Sequence, residues 1–454
     1  MLTQYTIAKS NILSVVRRGI RRYPFNTRLI ALSLAIGCGA VMLVNSLDLA
    51  LLEAMCWALT IGFAGYLWFH FTAEDNAAVA FLPKLFGFAF LFRAVAAILI
   101  SKFLKVQVNY DASTYEYYGS CYAAFWSRAI ISPPQEYLPS LKLYSELVGL
   151  QYYLTGSNTF IPDITNAFFG ALVPCVIYDI GRRHLGEREG RAAGVFAALL
   201  TAWIIWSAIA MRDIYVILLI ALVIRDAIDM QIKVTALRCI RIVAWLALIY
   251  LFRPYVDLIL LLSLSITFTF TLAKRPLARF VLGFVLLCFI GAAVFVGGVQ
   301  AVASQIIENQ TQQLDNTRQV VVYKDDHAYG ADVRYTSISD VLKFLPVGLV
   351  YFLGGPFPWS YDGRQFLMSL PEIFSWYFIF YYGIRGAVFV RGKSTALLPL
   401  LTFFLVGAVL LSAVSGNFAI SIRHRSMLSI SLVLLAGVGW VHRKDGRSGR
   451  PVSS

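Results

Sequence analysis

The chain has 454 residues, 59% of them hydrophobic and only 14% charged. That leaves too little polar surface to cover the two or three soluble domains its length would otherwise allow. The formal net charge is +14, but the basic residues sit mainly in short segments between apolar runs. Anionic lipid headgroups and the positive-inside bias explain this placement, and nucleic-acid binding does not.

The apolar runs recur from Arg28 to the C-terminus and are long enough to cross a bilayer. They do not alternate as β-barrel strands must, so each has to satisfy its own backbone as a helix. The fold class is therefore all-α and polytopic, with about twelve transmembrane helices. The expected spans are 29–47, 50–70, 81–101, 159–181, 191–210, 213–230, 236–252, 256–273, 280–303, 367–390, 395–414 and 427–442. A basic stretch with Lys9, Arg17, Arg18, Arg21 and Arg22 precedes the first run, no small-residue cleavage site follows it, and it reads as a retained helix. With the N-terminus in the cytoplasm, the clusters at Arg182, Arg183 and Arg188, at Lys233, Arg238 and Arg241, at Lys274, Arg275 and Arg279, at Arg391 and Lys393, and at Arg443, Lys444 and Arg447 all fall on the cytoplasmic side. The C-terminus falls there too.

Four regions follow: an N-terminal helix pair (1–79), a core of spans with an external loop at 102–158 (80–303), a second external loop (304–366), and C-terminal spans with a basic tail (367–454). In the first loop, Thr114 to Ile131 and Leu138 to Leu154 have the two-sided spacing of surface helices, separated by Pro133 and Pro134. In the second loop, Val341 to Gly355 reads as re-entrant or interfacial, since a thirteenth span would put the last basic clusters outside. Five of the six cysteines lie in apolar runs, so neither a disulfide framework nor a metal cluster is expected. The run Lys324-Asp325-Asp326-His327 holds metal-capable side chains, but a charge run in a long loop is ordinarily solvated. There is no Gly-rich phosphate loop, serine-nucleophile elbow, zinc spacing or internal repeat.

The informative residues are those that the charge bias explains badly. Arg212, Arg253, Arg423 and Arg425 lie at outer helix ends. Asp213 or Asp257 could pair with the first two, whereas Arg423, His424 and Arg425 have no local carboxylate and invite a phosphate, which guanidinium forks bind bidentately. Arg253-Pro254-Tyr255 would also serve as an interface anchor. Asp111 opens the first external loop in the run Tyr110-Asp111-Ala112-Ser113-Thr114-Tyr115-Glu116. It is a candidate general base, and equally an N-cap for the helix that follows. Asp163 and Glu372 are candidate buried partners for an arginine. Lys84 and Arg93 are the clearest charges inside spans and are expected to snorkel or pair.

In layout, the chain resembles the lipid-dependent glycosyltransferases of the GT-C superfamily, in particular bacterial relatives of protein mannosyltransferases and aminoarabinose transferases. There a helix runs outward into an external loop opening with an acidic residue and a tyrosine a few positions on, a description that Asp111, Tyr115 and Glu116 fit. Surface helices and a short-looped helix series follow, as in Leu138 to Asp213, and late basic residues correspond to Arg423 and Arg425. The resemblance implies a glycosyltransferase whose donor is a polyprenyl-phosphate-linked sugar. It implies a glycan, lipid or protein acceptor on the outer face of a bacterial inner membrane. Asp111 would be the base, and Glu116 would orient it or a metal. Arg423, Arg425, Arg253 and His424 would hold the donor phosphate, with Tyr115, Arg212 and Asp213 on the substrate. The resemblance assigns no cofactor with certainty, and a divalent metal stays open. Two rivals share the evidence: an O-antigen or exopolysaccharide polymerase, which would lean on the arginines alone, and a lipid or solute transporter or flippase, which should carry charged or broken helices near mid-membrane.

Overall fold

The computed structural model describes residues 49–73, 75–104, 110–135, 139–271, 315–316, 329–330, 333–357, 363–391 and 397–443. Every regular element among them is helical: α1 (Leu49–Thr72), α2 (Asn76–Leu99), α3 (Tyr110–Trp126), α4 (Lys142–Thr155), α5 (Phe160–His184), α6 (Glu187–Leu199), α7 (Thr201–Ser207), α8 (Asp213–Ile232), α9 (Ala236–Phe252), α10 (Pro254–Thr271), α11 (Ile338–Gly354), α12 (Gly363–Val390), α13 (Leu397–Val414) and α14 (Phe418–Val441). Seven of these are long and apolar enough to cross a membrane, or eight if the bent pair α6–α7 is one span. The protein is thus a multi-pass membrane protein. The expected spans 29–47 and 280–303, and the Lys324 to His327 run, lie outside the described residues.

The chain divides into two compact units, Met1–Lys84 and Leu85–Ser454. In the first, α1 exposes Leu59, Phe63, Trp68 and Phe71, as a helix facing lipid does. The second holds the buried core. Its innermost helices are α5, α8 and α14, whose buried residues run along nearly their whole lengths. Without a hydrophobic drive between helices in lipid, close backbone approach supplies the packing. Where α12 crosses α14, a Cβ on Gly386 would fall 1.9 Å from the Leu435 carbonyl oxygen, so only glycine fits.

The two expected surface helices correspond to α3 and α4. They pack through Gly119 and Gly149: a Cβ on Gly149 would meet the Tyr122 Cβ at 2.6 Å and the Gly119 carbonyl oxygen at 3.0 Å. Gly149→Ala should therefore push α3 off α4 and cost about 1–3 kcal/mol, the usual range for overpacking. A thermal melt of the purified protein in nanodiscs checks this, and an unchanged midpoint would show that the pair has slack.

Two boundaries differ from expectation in a way that matters. The last helix was expected from 427 but begins at Phe418, because Asn417 caps it by accepting the Ile420 N–H at 2.8 Å. A hydropathy window overlooks this turn because of its serines and basic residues. The span expected at 191–210 is broken at Leu200 and bends by 54°.

Charges collect at two ends of the second unit. At one end His184 contacts Asp229 (2.9 Å), Arg238 lies 3.5 Å from Asp229, Arg241 contacts Asp226 (2.8 Å) and His442 contacts Glu189 (2.8 Å). These are residues of the clusters expected in the cytoplasm, or their neighbours. The starts of α3, α8, α10 and α14 meet at the other end.

Candidate active site

Four separate pieces of chain converge at that second end. Asp213 is the first residue of α8, where the helix dipole favours a carboxylate. Arg253 occupies the link between α9 and α10, held extended ahead of Pro254, which opens α10. Arg423 stands in the second turn of α14, and Asp111 in the first turn of α3.

Their side chains form one ionic chain. Arg423 grips Asp213 bidentately, Nε to Oδ1 at 2.8 Å and Nη2 to Oδ2 at 2.7 Å, and reaches Asp111 Oδ2 through Nη1 at 2.7 Å. Arg253 Nη2 donates to Asp213 Oδ1 at 2.7 Å, and its Nη1 donates to the Tyr255 hydroxyl at 2.6 Å. Arg212 takes no part in the carboxylate pairing. Its Nη1 donates to the backbone carbonyls of Phe252 (2.7 Å) and Ser140, and its guanidinium lies 5.9 Å from the Tyr115 ring centroid. Among the described residues, the cluster thus sets three guanidiniums against two carboxylates. Asp213 is fully buried, whereas the Asp111 side chain is one third exposed, which makes it the accessible carboxylate of the pair.

Buried donors around the cluster are left over. Tyr115 Oη, Trp206 Nε1, Arg212 Nε and Arg253 Nε have no hydrogen-bond partner among the described residues. Trp206 lies beneath Arg423, its ring centroid 5.9 Å from the guanidinium carbon. Burial pushes the Tyr115 hydroxyl up to about 12 against the pull of Arg212, Arg253 and Arg423, so it stays a donor. Burial opposes the charge on Arg253, but Asp213 outweighs it and raises the pKa. At Arg212 burial dominates and lowers it, with Arg253 adding to the effect.

The segment leading into Arg212–Asp213 is clamped from below. Asn166 Nδ2 donates to the carbonyls of Ile209 (2.7 Å) and Met211 (2.9 Å), while its Oδ1 accepts from the Tyr144 hydroxyl at 2.9 Å. Asp163, expected to pair with an arginine, instead accepts from the Ser101 hydroxyl at 2.7 Å, with the Ala210 amide facing its carboxylate. It borders the same segment, which no local sequence signal announces.

The structure brings Asp111, Tyr115, Arg212, Asp213, Arg253 and Arg423 together and sends Arg425 elsewhere. Residues two apart on a helix point in nearly opposite directions. Arg425 is fully buried, 3.7 Å from Glu372, and lies over Trp376 at 4.6 Å. Arg423 and Arg425 therefore do not close on one phosphate. His424 borders the cluster, its Nδ1 3.1 Å from the Ser415 hydroxyl and its ring 5.6 Å from Tyr255. Arg253 pairs with Asp213 rather than Asp257, whose buried Oδ1 has no partner among the described residues. Trp206 was not found from the sequence, since nothing in an apolar run marks which tryptophan lies under an arginine. Among the described residues no group of three or more histidine, cysteine and carboxylate side chains is placed to hold a metal.

Glu116, five residues beyond Asp111, is part-buried on α3, and burial raises its carboxyl above its ordinary value of 4.5. A raised folded-state pKa means stability that is fully present below the unfolded value and lost as pH rises through the folded one. Glu116→Gln should thus raise the melting midpoint at neutral pH and leave it unchanged well below pH 4.5. Equal midpoints across the range would show the carboxyl to be solvated.

No family model and no curated protein sequence matches the chain. Similar solved structures include ArnT from Cupriavidus metallidurans bound to undecaprenyl phosphate, at 16% identity over 80% of this chain and 62% of that one, with a TM-score of 0.44. The archaeal oligosaccharyltransferase AglB from Archaeoglobus fulgidus, in complex with an inhibitory peptide and a dolichol-phosphate, is similar at 14% identity over 81% of this chain and 52% of that one, with a TM-score of 0.41. The chain spans about three fifths of the length of ArnT and about half that of AglB.

Proposed function

We propose that the chain is a membrane glycosyltransferase, moving a sugar from a polyprenyl-phosphate donor to a glycan, lipid or protein acceptor on the outer face of a bacterial inner membrane. The observation that carries this reading is the surplus of positive charge and orphaned donors around Asp111, Asp213, Arg253 and Arg423. Buried donors without acceptors are costly. A phosphate brings acceptor oxygens and negative charge in one group, and guanidiniums bind it with charge-assisted hydrogen bonds.

The same arrangement gives the reaction its order. A donor phosphate arriving at Arg423 competes with Asp111 for that guanidinium, and so releases the accessible carboxylate. Asp111 then takes the proton from an acceptor hydroxyl as its oxygen bonds to the anomeric carbon. The bond from that carbon to the phosphate oxygen breaks, and the electron pair leaves with the polyprenyl phosphate. Arg423 and Arg253 stabilise this developing charge, the larger electrostatic share of the acceleration. Attack from the side opposite the phosphate inverts the anomeric centre.

Mass spectrometry of lipid-linked and surface glycans tests this, in cells carrying the wild-type chain, Asp111→Asn or Arg423→Ala at matched protein levels. Loss of one defined sugar in both variants is the expected result. Unchanged composition with collapsed chain length would replace the reading with a polymerase, and unchanged glycans throughout would overturn enzymatic transfer.

A further inference from the structure

The break between α6 and α7 leaves backbone groups without helical partners, and in a membrane interior such groups must be satisfied by protein. Arg93, from α2, supplies the first half. With no exposed surface, it donates from Nη1 to the Ala198 carbonyl (3.0 Å) and from Nη2 to the Ala197 carbonyl (3.2 Å), as well as to Ala89 of its own helix at 3.2 Å. Glu372, from α12 and 6% exposed, borders the second half, with the Ala202 amide facing its carboxylate. Beside it, the Thr201 hydroxyl donates to the Pro371 carbonyl at 3.2 Å. The signs are complementary, with a cation at the carbonyl end of α6 and an anion at the amide start of α7. Glu372 is tied onward to Arg425 at 3.7 Å.

The far part of α7 belongs to the site. The Trp203 Nε1 donates to the Ser426 carbonyl on α14 at 2.8 Å, and Trp206 lies under Arg423. Gly170 makes room where the break and Arg93 meet: a Cβ there would sit 2.5 Å from Ser207 Cβ and 3.1 Å from Arg93 Cδ. A straight apolar helix would cross this region without burying two charges, a costly alternative that needs a return.

We propose that Arg93 and Glu372 hold the broken helix from its two inner ends, and thereby fix where α7 places Trp206 against Arg423. They are positioning residues for the anion site, and the inference rests on the functional reading above only for the identity of the anion.

Purified full-length protein in nanodiscs tests it with Arg93→Met, Arg93→Lys and Glu372→Gln. Amide hydrogen exchange over 197–207 reads the break, and calorimetric titration with farnesyl phosphate reads the anion site. Arg93→Met and Glu372→Gln should speed exchange in that window and weaken farnesyl phosphate binding by about tenfold or more, as misplacement of a binding group does. Arg93→Lys, which keeps a cation and several donors, should recover part of both. Wild-type exchange and binding in Arg93→Met and Glu372→Gln would overturn the proposal, and so would weakened binding with exchange unaltered. If the wild-type protein itself binds no farnesyl phosphate, the phosphate reading fails, while the exchange contrast still decides whether the two residues hold the break. Should Arg93→Met not fold, Glu372→Gln decides alone, since it keeps the side-chain shape while removing the charge and turning one acceptor oxygen into a donor.

Discussion

Replacing Asp213 by asparagine is expected to lower the stability of the folded protein by about 3–5 kcal/mol and to abolish transfer, because it removes one partner from a buried ion network. Asp213 has no exposed surface and compensates two guanidiniums, Arg253 and Arg423. Asparagine keeps the shape but turns an amide nitrogen, itself a donor, toward one of them. A charge then stays uncompensated in a low-dielectric setting. Thermal unfolding in nanodiscs measures the loss. A second readout separates an anion site from a purely structural one: inorganic pyrophosphate should raise the midpoint of Asp213→Asn more than that of the wild type, since it can take the missing carboxylate's place. Equal shifts in the two proteins would argue against phosphate at this position.

Arg423→Lys is expected to lower kcat by about 10²–10³-fold, the scale seen when one donor aimed at developing negative charge is lost. The planar guanidinium spans Asp111 and both oxygens of Asp213 at once, at 2.7–2.8 Å. A single ammonium cannot reproduce that fork. Steady-state transfer at matched levels of folded protein checks the figure. A variant with normal kcat and a lowered melting point would reassign Arg423 to holding α3, α8 and α14 together.

The membrane character and most helices were legible because apolar length is a local property, and α5, α12 and α13 fall close to where hydropathy puts them. Local caps were less visible, so the polar first turns of α14 read as a loop although Asn417 starts a helix there. Within the site, Arg253 and Arg423 were singled out because each was a basic charge at an outer helix end, and Asp111 because it opens the first external loop. Their partnership was not legible, since Arg423 meets Asp213 and Asp111 across 210 and 312 residues of sequence. Arg425 shows the converse. Its adjacency to Arg423 suggested a shared ligand, but helical rotation turns it to Glu372. Arg93 likewise neither snorkels nor meets a carboxylate, because the broken helix beside it offers carbonyls that a straight one would not.

The reach of Arg423 also bears on how the protein is made. Asp111 enters the membrane system early in synthesis, Asp213 and Arg253 midway, and the guanidinium that joins them arrives with α14. A growing chain therefore carries an unlinked acidic loop and a half-neutralised Asp213 until its last described helix is seated. A chain stopped before Asn417 would thus hold both carboxylates without the guanidinium that joins them.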